Sequence, residues 1–154
     1  MLFTFIGCSQ TEKQETVHSP ESQIKKDSVP DNTPNKYTNK DSLIIPPVSG
    51  IVELIPENGK IQTILHKEKE QIIYIKFPSE EYKKLSARIS SQDSKANIRI
   101  SQIIMPNGKM DGPFGTEFTY DLPQQGTYGL LIHENQMAGD PWIGNFRIEI
   151  DLKK

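Results

Sequence analysis

Three histidines, one cysteine and a scatter of carboxylates are the residues able to do chemistry in this chain, and their spacing does not favour catalysis. His18, His66 and His133 lie far apart, and no nucleophile elbow, paired metal-ligand spacing or phosphate-cradling glycine loop accompanies them. No nucleophile–base pair can be assembled, so the chain reads as a non-enzyme with no cofactor. Asp111, Glu117, Glu134 and Asp140 fall in or beside two long stretches of turn residues, where hard oxygen ligands suit Ca²⁺. Asp111 before Gly112 and Asp140 after Gly139 are the weak calcium candidates. Without EF-hand spacing, solvated loop carboxylates are the plainer reading. Cys8 stands alone, which excludes an intrachain disulfide and a cysteine-rich zinc site.

A second set of chemically informative residues is apolar. Residues 134–144 are longer than a hairpin connection needs and carry Met137 and the only tryptophan, Trp142. Residues 109–115 carry Met110 and Phe114 among glycines. Exposed Trp and Met are enriched at recognition surfaces, so Met110, Phe114, Met137 and Trp142 are candidate contact residues, provided the two loops share one end. The competing reading folds Trp142 back as a cap, because a large aromatic is usually mostly buried. The net charge of -2 offers no basic footprint for nucleic acid and no polybasic membrane patch. The expected partner is a protein or a glycan.

The elements that position these residues are strands. From residue 127 to 133, Tyr128, Leu130 and Ile132 fall on one face, because side chains alternate sides along a strand. Residues 146–152 alternate in the same way, and the two stretches read as the final pair of strands. Upstream, residues 51–55, 60–66, 71–77, 85–90, 97–105 and 116–121 have strand character, separated by turn residues. Ile73, Ile75 and Phe77 face one side and Ile72 and Tyr74 the other, which suits a central strand. The apolar phase shifts at Gln102, the mark of a bulge. Residues 67–70 read as a charged hairpin turn. The expectation is an all-β chain: a single antiparallel β-sandwich, jelly-roll-like, of about eight strands.

Organisation along the chain has three parts. Residues 48–154 form the sandwich domain. Residues 9–47 are rich in Ser, Thr, Gln, Asn, Lys and Pro, with apolar residues appearing singly apart from 43–45, and read as a disordered linker. Leu43, Ile44 and Ile45 read as a first edge lying along the sheet. Residues 1–8 are apolar and end in Phe5-Ile6-Gly7-Cys8, followed by Ser9. This resembles the lipobox of bacterial lipoproteins. The resemblance implies cleavage before Cys8, lipidation of Cys8 and anchoring to a membrane of the cell envelope. Ser9 after the cysteine implies the outer membrane, with the domain facing the periplasm or the cell surface.

Two further resemblances concern the domain. Residues 71–75, 97–109, 122–128 and 145–150, with Pro106-Asn107-Gly108 and Gly126-Thr127-Tyr128 as the most recognisable pieces, resemble the bacterial pre-peptidase C-terminal domain, a secreted jelly-roll-like sandwich. The same sandwich is similar to the periplasmic lysozyme inhibitors of the invertebrate and goose types. Those proteins present a Ser-Gly loop with a nearby tyrosine. Here that resemblance implies an inhibitor loop of Gln125, Gly126 and Tyr128, with Gln125 in place of the serine. The expected function is an exported, lipid-anchored, non-catalytic binding module. The alternatives are a periplasmic lysozyme inhibitor and a structural envelope lipoprotein.

Overall fold

The computed structural model describes residues 42–154 and the backbone of residues 36–38; Cys8 and most of the expected linker lie outside them. Eleven strands occur among the described residues: β1 (Lys36–Thr38), β2 (Leu43–Ile44), β3 (Ile51–Ile55), β4 (Lys60–Lys67), β5 (Ile73–Pro78), β6 (Lys84–Ser90), β7 (Arg99–Ile104), β8 (Met110–Asp111), β9 (Glu117–Asp121), β10 (Thr127–His133) and β11 (Gly144–Lys153). Eight of them match the stretches expected from alternation. The other three, β1, β2 and β8, are only two or three residues long. The expected edge at residues 43–45 is β2, and β1 pairs with β3, so chain on the N-terminal side of Val48 contributes a strand to each sheet.

The strands form an all-β sandwich. One sheet has the order β1-β3-β5-β10-β7-β8 and the other β2-β4-β11-β6-β9. The expectation of purely antiparallel pairing is corrected, because β1–β3, β3–β5 and β2–β4 are parallel. The cause is the route of the chain. From β3 to β7 it changes sheet at every turn, so β3 and β5 run the same way and meet side by side. β10 and β11 likewise lie in different sheets. Residues 134–143 are a crossing between sheets, not a hairpin, and this accounts for their length. The same holds for residues 68–72, expected as a hairpin turn.

The inward face of each strand closes one core. β5 gives Ile73, Ile75 and Phe77, and β10 gives Tyr128, Leu130 and Ile132. Opposite them, β6 gives Leu85, Ala87 and Ile89, and β11 gives Phe146, Ile148, Ile150 and Leu152. The bulge expected near Gln102 is present. Leu131 pairs with Gln102 and Ile132 with Ile100, which leaves Ser101 as the extra residue. Ser101 is buried and donates its hydroxyl to the Leu131 carbonyl oxygen at 3.0 Å.

The strand directions sort the connections into two ends. One end carries residues 56–59, 79–83, 105–109 and 122–126. The opposite end carries residues 45–50, 68–72, 91–98 and 134–143.

Candidate functional site

The 122–126 turn is held from three sides. Leu122 is buried, and its N–H donates to the Lys83 carbonyl oxygen at 2.7 Å. Ser79, also buried, donates its backbone N–H to the Gly126 carbonyl oxygen at 2.9 Å and accepts from the Gly126 N–H on Oγ at 3.1 Å. From below, the Tyr128 hydroxyl donates to the Gln124 carbonyl oxygen at 2.9 Å and accepts from the Gln124 N–H at 3.3 Å. Gly126 has φ 142°, and a Cβ there would come within 2.8 Å of Pro106. The turn needs glycine at that point both for its backbone and for space. The result is a pinned loop with Gln125 exposed on it.

Gln125, Gly126 and Tyr128 are therefore neighbours, but they do not share one outward surface. Tyr128 is fully buried, its ring stacked on Phe77 with centroids 6.3 Å apart. It supports the loop from inside, like a buried tyrosine that keeps its hydroxyl paired.

The four apolar contact candidates separate. Trp142, expected on an exposed loop, is corrected to a buried position at 7% exposure. Its indole N–H donates to Asp93 Oδ2 at 2.7 Å, and its ring fills the space left by Gly144, where any side chain would collide with it. That bond and the Lys95 backbone N–H hold the Asp93 carboxyl below the usual carboxylate range. Met137 is 95% exposed on the same 134–143 connection. Asn97 stitches that connection down: its Nδ2 donates to the Asn135 and Asp140 carbonyl oxygens at 3.1 and 3.2 Å, and its Oδ1 accepts from the Asn135 N–H at 3.1 Å.

Residues 109–115 lie elsewhere, along the edge of β7. The Phe114 N–H donates to the Ile100 carbonyl oxygen at 3.2 Å, and the Ile100 N–H to that of Gly115 at 2.9 Å. Phe114 is half-buried and stacks on Phe118 with centroids 4.0 Å apart, and Tyr120 meets it edge-on at 6.2 Å. These rings close the side of the core between β7 and β9. Met110 is exposed on the edge strand β8. The two loops thus do not build one surface from four residues: Met137 and Met110 point into solvent in different places, and Trp142 and Phe114 pack inward.

Neither calcium candidate is part of a ligand set. Asp111 accepts from the Tyr120 hydroxyl at 3.0 Å and from the Gly112 N–H at 2.8 Å. Burial, reinforced by Asp111, pushes the Tyr120 hydroxyl above its usual pKa. Asp140 sits on the opposite-end connection. Among the described residues no three His, Cys, Asp or Glu side chains gather as a metal site.

One charged pair was missed at the level of sequence. Lys67 is fully buried, and its ammonium donates to Glu134 Oε1 and to the Glu68 carbonyl oxygen at 2.9 Å. The same Glu134 oxygen accepts from the Glu70 N–H at 3.2 Å. The signal was parity. Ile61, Thr63 and Leu65 set the inward face of β4, and Lys67 is the next inward position; Leu130 and Ile132 likewise lead to Glu134. Two inward faces, one in each sheet, each end in a charge, and the charges meet at the Met137 end.

No protein-family model matches the chain, and no curated protein matches it. Solved structures do. The periplasmic inhibitor of g-type lysozyme PliG from Aeromonas hydrophila is similar at a TM-score of 0.54 and 10% identity, over 73% of this chain and 100% of that one. PliG from Salmonella Typhimurium gives a TM-score of 0.45 at 13% identity, over 66% of this chain and 98% of that one. At these identities the likeness is one of fold.

Proposed function

We propose that this chain is a non-catalytic, protein-binding sandwich of the cell envelope, and that its first partner to test is a lysozyme of the g type. The observation that carries the reading is the fold it shares with the Aeromonas inhibitor over that protein's whole length. The 122–126 loop supports it. A loop already fixed by Ser79, Lys83 and Tyr128 loses little conformational freedom on binding, so more of the contact energy survives as affinity. Gln125, exposed beside Pro123 and Gln124, is the side chain of this loop to test first.

The purified chain is expected to lower g-type lysozyme turnover at a near-stoichiometric ratio, and Gln125→Ala to weaken the effect by roughly tenfold, the size of one good interfacial contact. Unchanged turnover of every lysozyme type at excess protein would remove the inhibitor reading. For location, we propose lipidation of Cys8, which rests on the lipobox-like run before it. Metabolic labelling with palmitate is expected to mark the wild-type chain and not Cys8→Ser; equal labelling of the two would remove the anchor.

A further inference from the structure

The exposed large apolar side chains are not spread evenly over the sandwich. Ile45, Val48, Ile72, Met137 and Ile143 all lie on connections of the end opposite Gln125. Leu43 is exposed on the edge strand β2, and among the described residues Met110 alone is exposed near the other end. Val48 is 100% exposed and Ile72 52%. Side chains of this kind standing out from neighbouring loops need an explanation, because a folded chain in water gains by covering them.

These loops are braced to one another. Gln71 Nε2 donates to the Pro47 carbonyl oxygen at 3.0 Å, and the Tyr74 N–H to that of Gly50 at 2.8 Å. These bonds tie the Val48 loop to the Ile72 loop. Glu134 accepts from the Glu70 N–H, and a cavity of about 330 Å³ lined by Ile72, Glu134, Gln136, Gly139 and Pro141 joins the Ile72 loop to the Met137 loop. The apolar tips are thus carried on one platform.

Two features say what covers it. First, the tips project. Val48 and Met137 are almost wholly exposed, on an end whose loops also carry polar Glu68, Glu70 and Gln136, and neither lines the cavity beside Ile72. A fluid interface accepts projecting tips without matching pits. Second, β1 runs parallel to β3, and β3 begins at this end, so Lys36 lies nearer to it than Thr38 does. The chain before Lys36 therefore joins β1 from this side. Cys8 precedes Lys36 by 28 positions.

We propose that this end is a membrane-contacting surface, with Val48, Ile72 and Met137 entering the interfacial layer of a phospholipid bilayer and the 122–126 loop pointing away from it. The inference rests on the envelope location proposed above and adds an orientation: the sandwich stands on the membrane and offers Gln125 to the partner. Lys69 and Lys95 are outnumbered nearby by Glu68, Glu70, Asp93 and Asp140, so the contact is apolar in character and owes nothing to attraction by anionic lipid.

The test uses the full chain carrying Cys8→Ser, so that no acyl group contributes, with a polarity-sensitive fluorophore attached through Met137→Cys or Gln125→Cys. Vesicles of phosphatidylethanolamine with a minor share of phosphatidylglycerol are added. The label at 137 is expected to shift its emission to the blue, at low and at high salt, and the label at 125 to stay unchanged. Val48→Asp combined with Ile72→Asp, both exposed and thus compatible with folding, is expected to lower the vesicle-bound fraction roughly tenfold or more. Equal responses at the two labels, or no response at 137, would overturn the proposal. So would loss, on the same substitutions, of a dimer seen by sedimentation without vesicles, which would assign the surface to a second copy of the chain. A negative palmitate experiment alongside a positive vesicle experiment would remove the anchor and leave the membrane contact standing.

Discussion

Glu134→Gln is expected to destabilise the sandwich by about 3 kcal/mol, the lower part of the range for breaking a buried ion pair from one side. Lys67 has no exposed surface, and among the described residues its ammonium has the Glu134 carboxylate and the Glu68 carbonyl oxygen as partners. Without the carboxylate, an uncompensated charge remains in the interior. A loss of that size is a large share of the 5–15 kcal/mol that holds a typical domain together. Lys67→Met with Glu134→Leu is expected to recover most of it, since apolar residues of similar volume commonly replace such pairs at no net cost. Urea unfolding curves check both, as shifts in midpoint at constant slope. A Glu134→Gln midpoint within experimental error of wild type would show that water reaches Lys67.

The acid limb of stability follows from the same pair. Burial works to raise the Glu134 pKa, but the Lys67 hydrogen bond and the backbone N–H groups around it outweigh burial and leave the carboxyl below its usual value. A carboxyl depressed in the folded state contributes stability that is complete above the ordinary carboxylate range and is lost as pH falls through the depressed value. Glu134→Gln is therefore expected to flatten that acid limb as well as lower the plateau.

Tyr128→Ala is expected to cost about 4 kcal/mol, as for other large aromatics removed from a core. The ring has no exposed surface and packs against Phe77. Tyr128→Phe keeps the ring and removes only the hydroxyl bonds to Gln124, near enough to the surface for water to replace them, and is expected to cost about 1 kcal/mol. Its clearer effect is on order: the Gln124 and Gly126 amide protons are expected to exchange faster. The pair of variants also separates two roles for Tyr128. A tyrosine that touched the partner would lose binding in the Phe variant with stability and exchange unchanged; one that holds the loop moves exchange and binding together.

Much of the fold was legible because alternation reports which side of a strand faces inward. It identified the buried residues of β5, β6, β10 and β11, and the phase change at Gln102 located the bulge around Ser101. Alternation does not report which strand is the neighbour. β10 and β11 look like a hairpin and lie in different sheets, and the parallel seats of β1 and β2 depend on which edges the other strands leave open. Parity also points Lys67 inward, but Lys-Glu-Lys-Glu reads as a solvated charged turn, and for that reason the buried pair was missed. The contact surface was harder, for a non-local reason. Trp142 turns inward because Asp93, 49 residues away, offers an acceptor and Gly144 leaves room for its ring. Neither cause is visible in the loop that carries Trp142.

β11 has a consequence for the order of events as the polypeptide emerges. It is the last described strand in the sequence, yet it occupies the middle of its sheet, pairing with β4 on one side and β6 on the other. Until residues 144–153 are available, β4 and β6 have no strand between them, and the inward faces of the first sheet have nothing complete to close on. Pairing of this kind joins segments distant in sequence and is slow compared with local contacts. The nascent chain is thus kept from completing this sheet until residues 144–153 have been made.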